Sequence, residues 1–180
     1  MPRVLEEKAS AANEVKAAQD TIDRQFSVTS PIRTGNTNIM VDETNSRTGQ
    51  CHCGAVRFEA TLSDGFNSIR RCTCSYCRMR GAVVVMAGTG GITFLQGEAA
   101  LTSYRFNTRS VQHFFCSQCG IYTHHQRRSD RSQYGVNVAC LDGVSPFDFL
   151  EVPVVDGVNH PNDTGRPARR AGILRFIPAD

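Results

Sequence analysis

Seven of the eight cysteines in this 180-residue chain fall into three short clusters, and these constrain the fold more than any other feature. The first is Cys51-His52-Cys53-Gly54, the second Cys72-Thr73-Cys74-Ser75-Tyr76-Cys77, the third Cys116-Ser117-Gln118-Cys119-Gly120. Zinc binds thiolates at about 2.3 Å in tetrahedral geometry, so its ligands must converge on one point. A CxxC pair achieves this through a tight backbone turn. A CxC pair converges more simply, because residues two apart on a strand share a face. Gly54 and Gly120, each directly after a cysteine, suit positions where a positive φ is wanted. Structural zinc sites close with four ligands, whereas catalytic ones keep a position open. The economical division of seven cysteines is a closed site of Cys51, Cys53, Cys116 and Cys119, with Cys72, Cys74 and Cys77 holding a second metal. His52, His113, His124, His125 or Cys140 could close that second site, which leaves two purely structural zincs as an alternative.

A reducing compartment favours metal over disulfides as the use of these thiols. Residues 1–25 lack an apolar core segment and carry Glu6, Glu7, Glu14, Asp20 and Asp23, unlike a secretory or mitochondrial leader. The sequence therefore predicts a cytoplasmic protein. Mean hydropathy is −0.30, and no stretch approaches the ~18 apolar residues of a membrane span. The net charge of +3 is modest, but residues 51–180 hold 14 basic residues, all arginine, against 10 acids. Arginine binds carboxylates in a bidentate way that lysine cannot, so this hints at an anionic ligand. Codon usage in a GC-rich genome would give the same bias.

The chain divides near residue 49. Residues 1–48 lack cysteine; Glu6–Ile22 favours helix, but carries too few large apolar residues to bury a face. Residues 27–48 are dominated by Ser, Thr and Asn and read as linker. The expectation is a disordered or weakly helical tail over 1–48 and a zinc-binding domain over 49–180. In that domain Val56, Phe58, Ala60 and Leu62 alternate with polar residues, as in a half-buried strand. Ala82–Ala87 is an apolar run ending in Gly88-Thr89-Gly90-Gly91, read as a mobile turn. Leu101–Phe106, Val111–Phe115 and Tyr134–Ala139 read as further short strands. The fold class predicted is mainly β, a small zinc-stabilised sheet domain.

The ordered set CHCGAVRFEA, CTCSYCR and FFCSQCG resembles the glutathione-dependent formaldehyde-activating enzyme family, whose domain is shared by centromere protein V relatives. The resemblance runs from about Gly49 to about Asp156. It implies a fold of the β-tent kind, a structural zinc on Cys51, Cys53, Cys116 and Cys119, and a labile catalytic zinc on Cys72, Cys74 and Cys77. It also implies an activity: joining glutathione to formaldehyde as S-hydroxymethylglutathione.

Glutathione carries two carboxylates, and Arg78 and Arg80 lie just beyond Cys77, so one of them is expected to clamp a carboxylate. His124 and His125 sit in THHQRRSDRS, which reads as a polar turn and is given no catalytic role. His52 is expected to face outward, His113 to be packed or exposed by alternation, and Cys140 to be a small buried hydrophobe. Two other functional classes fit the residues: a non-catalytic zinc-stabilised binding module, and the same site acting on another thiol adduct. A nucleic-acid partner, suggested by Arg127, Arg128, Arg131, Arg166, Arg169 and Arg170, ranks last, because no aromatics interleave with these arginines.

Overall fold

The computed structural model describes residues 45–179. The helix-prone stretch and nearly all of the linker lie outside the described residues. The rest is mainly β, in two sheets. Seven antiparallel strands form the larger one, in the lateral order β1 (Ser46–Gln50), β2 (Arg57–Leu62), β4 (Val84–Gln96), β8 (Tyr134–Asn137), β7 (Tyr122–Gln126), β6 (His113–Cys116) and β5 (Leu101–Tyr104). The smaller sheet runs β10 (Arg170–Arg175), β9 (Glu151–Val155) and β3 (Arg71–Cys72), with β3 parallel to β9. Two short helices, α1 (Ser75–Arg80) and α2 (Pro161–Thr164), complete the described elements along with brief 3-10 turns.

Alternation in β2 works as the sequence predicts: Phe58, Ala60 and Leu62 are buried and the intervening residues are exposed. Their side chains join Val56, Val85, Val136, Val138, Leu141 and Val152 in the core. Burial of such side chains is worth about 1.5–3 kcal/mol each. Strand β1 begins at Ser46, a few residues ahead of Gly49, and pairs along its whole length with β2. Gly49 lies opposite Phe58, where a Cβ would stand 2.6 Å from the Cys140 carbonyl oxygen. Only glycine lets these backbones approach so closely.

Gly88–Gly91 is not a free turn. It is a bulge inside the long strand β4, where a two-residue step on β2 (Ala60 to Leu62) faces a five-residue step on β4 (Ala87 to Ile92). Gly90 takes φ +64°, and a Cβ on Gly91 would lie 2.8 Å from the Gly88 carbonyl oxygen. The bulge lets the first half of β4 pair with β8 while β2 pairs along both halves.

His124 and His125 are likewise strand residues, in β7, rather than part of a polar turn. The polar sequence hides this because the strand is covered on both faces. A bulge opposite Phe114 and Phe115 places Tyr122 and His125, three residues apart, within hydrogen-bond reach.

Candidate metal centres

The end of β1 and the hairpin of β6 and β7 bring Cys51, Cys53, Cys116 and Cys119 together, with all four sulfurs within 4.8 Å of one another. Cys51 and Cys53 lie 3.6 Å apart at sulfur, Cys53 and Cys116 3.7 Å. Four ligands at about 2.3 Å on a tetrahedron would be separated by about 3.8 Å, so the donor set fits zinc. The turns form as expected. Gly54 and Gly120 take φ of +74° and +73°, and their N–H groups donate to the carbonyls of Cys51 (3.0 Å) and Cys116 (2.8 Å). Burial pushes the Cys51 thiol up to about 12. Burial acts upward on Cys119 as well, but the Ile121 and Cys53 backbone N–H groups and neighbouring thiols hold it down to about 6. Thiols packed this closely cannot all ionise without a cation among them.

The second cluster, Cys72, Cys74 and Cys77, also has its sulfurs within 4.8 Å. Cys72 ends β3, held by parallel pairing with Val155 of β9. Cys74 caps α1, its sulfur accepting from the Cys77 N–H at 3.4 Å, while its own N–H donates to Cys72 Sγ at 3.4 Å. Gly81, in the left-handed region at φ +71°, ends the helix after a single CxxC turn. Hydrogen bonds from Cys72 and Cys77 hold Cys74 well below the usual thiol range, and the same contacts push Cys77 far up. Among the described residues, no other His, Cys, Asp or Glu joins these three sulfurs. His52 is exposed beside the first cluster, and Cys140 is buried in the core as expected.

The three-sulfur cluster borders a cleft of about 660 Å³. Its wall holds six arginines (Arg70, Arg78, Arg80, Arg127, Arg128 and Arg169) against two aspartates, Asp156 and Asp163. Both aspartates are already engaged: Asp163 by both terminal nitrogens of Arg128, and Asp156 by Arg169 Nε at 3.0 Å. The excess positive charge suits an anionic ligand. Arg78 is exposed at this cleft. Arg80 turns inward instead: it donates to Cys77 Sγ (3.4 Å) and His113 Nδ1 (3.2 Å) and lies 3.4 Å from the Tyr122 ring centroid. A guanidinium only donates, so His113 accepts at Nδ1.

Four histidines line or back this region: His160, which caps α2, and three in the large sheet. Burial, joined at His113 and His125 by the Arg80 charge, holds His113 and His124 down to about 4 and His125 well below its usual range. All three are neutral near pH 7. His125 Nδ1 lies 2.5 Å from the Tyr122 hydroxyl, and its ring stacks on His113 with centroids 5.2 Å apart. His124 stacks on Phe114. Sequence reading did not place Arg70, Arg127, His113 and His125 on one cleft beside the three cysteines. For the two arginines the signal was the arginine-only composition after residue 50.

Comparison with known proteins agrees with this geometry. A solved structure of a Rhodobacter sphaeroides protein is 53% identical, with a TM-score of 0.58, covering 59% of this chain and 98% of that one. The family model described as glutathione-dependent formaldehyde-activating enzyme matches residues 46–149, which include both cysteine clusters and the arginines from Arg70 to Arg128. With most of its described residues inside that match, the chain belongs to the glutathione-dependent formaldehyde-activating enzyme family.

Proposed function

We propose that this chain is a zinc-dependent carbon–sulfur lyase, or synthase, that joins glutathione to formaldehyde or a related aldehyde, giving S-hydroxymethylglutathione. The carbon–sulfur bond forms as the thiol loses its proton, and that proton ends on the former carbonyl oxygen. Two zincs are assigned, a structural one on Cys51, Cys53, Cys116 and Cys119 and a catalytic one on Cys72, Cys74 and Cys77. One observation carries the reading: three converging sulfurs, with no fourth protein ligand among the described residues, open onto an arginine-rich cleft.

A free thiol has a pKa of about 8.5, so little is ionised at neutral pH. Zinc at the three sulfurs would favour the ionised form of a substrate thiol and hold it in place. Arg78, exposed at the cleft, is the arginine suited to clamp a glutathione carboxylate. Arg80 is a positioning residue, holding Cys77 and His113 in place. Val84, Phe106 and Val111 supply apolar wall that displaces water beside the sulfurs.

A second reading keeps the site and changes the thiol. It is favoured by the cleft wall from Val155 to Arg169, which lies beyond the residues matched by the family model. Calorimetric titration of glutathione, with zinc measured on the same samples of wild type and Cys74→Ser, tests both. Two zincs per chain, with one zinc and glutathione binding both lost in Cys74→Ser, are expected. Two zincs without glutathione binding in wild type would overturn the glutathione assignment in favour of another thiol or a binding module.

A further inference from the structure

Among the described residues, three of the six cleft arginines, Arg70, Arg78 and Arg127, have neither a carboxylate partner nor a bond to the cysteine cluster, and Arg78 is the exposed one assigned above. Arg128 and Arg169 hold aspartates, and Arg80 is committed to Cys77 and His113. Arg70, half-buried at the edge of the smaller sheet, has its backbone fixed by two 2.9 Å hydrogen bonds to Val84. Its side chain donates to the thioether sulfur of Met86 at 2.8 Å, a weak acceptor for a group with five N–H donors. Arg127, also half-buried, donates to the Gln133 side chain. Both side chains line the same cleft. Beside Arg127 in the chain, Gln126 Oε1 is buried without a partner, an acceptor ready for an amide N–H. Two half-buried guanidinium groups with unused donors, in a cleft that also offers an amide acceptor, form a site for a carboxylate on a peptide-like ligand.

We propose that Arg70 and Arg127 form an anion subsite that receives a carboxylate of the thiol substrate, while Gln126 takes a peptide N–H. The proposal rests on the thiol reading above for the identity of the ligand. It separates two jobs: the three cysteines act on the sulfur, and this pair selects a thiol that carries a negative charge at some distance from it.

The test uses the zinc-loaded full chain and three probes: glutathione, its sulfur-free analogue γ-glutamyl-2-aminobutyryl-glycine, and the diethyl ester of that analogue. Wild type is expected to bind the analogue at least tenfold more tightly than the ester. Arg127→Gln and Arg70→Gln, with zinc content and melting temperature unchanged, should each weaken glutathione and the analogue about tenfold and cut the preference for analogue over ester by a similar factor. Arg127→Gln carries the test alone should Arg70→Gln fail to fold. If wild type binds glutathione and the variants keep both affinity and preference for the free acid, the subsite is overturned while the thiol reading stands. If glutathione binds no tighter than the sulfur-free analogue, yet both depend on the arginines, the thiol reading fails and the subsite stands. If neither probe binds wild type, both fall.

Discussion

The backbone of Gly157 lies directly against the sulfur of Cys72: a Cβ at residue 157 would stand 2.2 Å from Cys72 Sγ and 3.0 Å from the Cys74 nitrogen. The same residue donates its N–H to the Thr73 hydroxyl at 3.0 Å. Gly157 therefore forms the lid of the three-sulfur loop, and its lack of a side chain is a requirement of that loop. Gly157→Ala should displace Cys72, lower metal content by one ion per chain, and weaken glutathione binding at least tenfold. Metal analysis alongside glutathione titration checks this. An alanine variant with two ions and normal binding would show that the loop has room the geometry denies it.

The two clusters should differ in what they do for stability. Cys116 is fully buried at the end of β6, and its cluster ties β1 to the β6–β7 hairpin. Metal binding at such a site is coupled to folding. Cys116→Ser should abolish the cooperative melt. Cys74→Ser, on a loop bordering the cleft, should lower the melting temperature by only a few degrees while removing one metal. Differential scanning calorimetry of both variants separates the two roles.

Arg80 is placed to act through shape as well as charge. Its guanidinium lies over Tyr122 while donating to Cys77 and His113. A desolvated cation–π contact contributes about 2 kcal/mol. Arg80→Met should cost about that much, a drop of roughly 4–8 °C in melting temperature for a chain of this size. Arg80→Lys should not restore it, because an ammonium cannot stack flat on the ring and reach two acceptors together. Full rescue by lysine would show that charge alone matters there.

The neutral histidines set an acid limit on the fold. The folded state keeps His113 and His124 unprotonated down to about pH 4, and His125 further still, because they are buried. An unfolded chain takes up those protons near pH 6.5. The unfolded state thus binds more protons over that window, so stability falls as pH drops from about 6.5 towards 4. The slope is up to about 1.4 kcal/mol per pH unit for each histidine. His124→Phe keeps a ring against Phe114 and should reduce that slope by one proton's share. Chemical denaturation of both proteins across this range measures the difference; equal slopes would remove His124 from the account.

The two cysteine clusters were legible in the sequence because their chemistry is local. A CxxC or CxC spacing fixes where sulfurs can converge, and Gly54 and Gly120 carry the positive φ that their positions predicted. The alternation of Val56 to Leu62 was equally direct, since one face of β2 meets the core. What escaped the sequence depends on partners far along the chain. His124 and His125 look like a polar turn until Phe114, His113 and Tyr122 are packed around them. Gly88–Gly91 looks like a turn because glycines serve bulges and turns alike. The direction of Arg80, inward rather than towards a ligand, is set by Tyr122 and His113 on two distant strands.

The parallel pairing of Cys72 with Val155 has a consequence for how the protein is made. Ribosomes add residues in order, so the second cluster is complete in composition when Cys77 emerges but lacks its backing strand for nearly eighty residues more. The first cluster gathers its last ligand at Cys119, well before that strand exists. Assembly of the two clusters during synthesis is therefore sequential: the four-sulfur cluster can close while the chain is still growing, whereas the three-sulfur cluster takes its final shape only after β9 and Gly157 have left the exit tunnel.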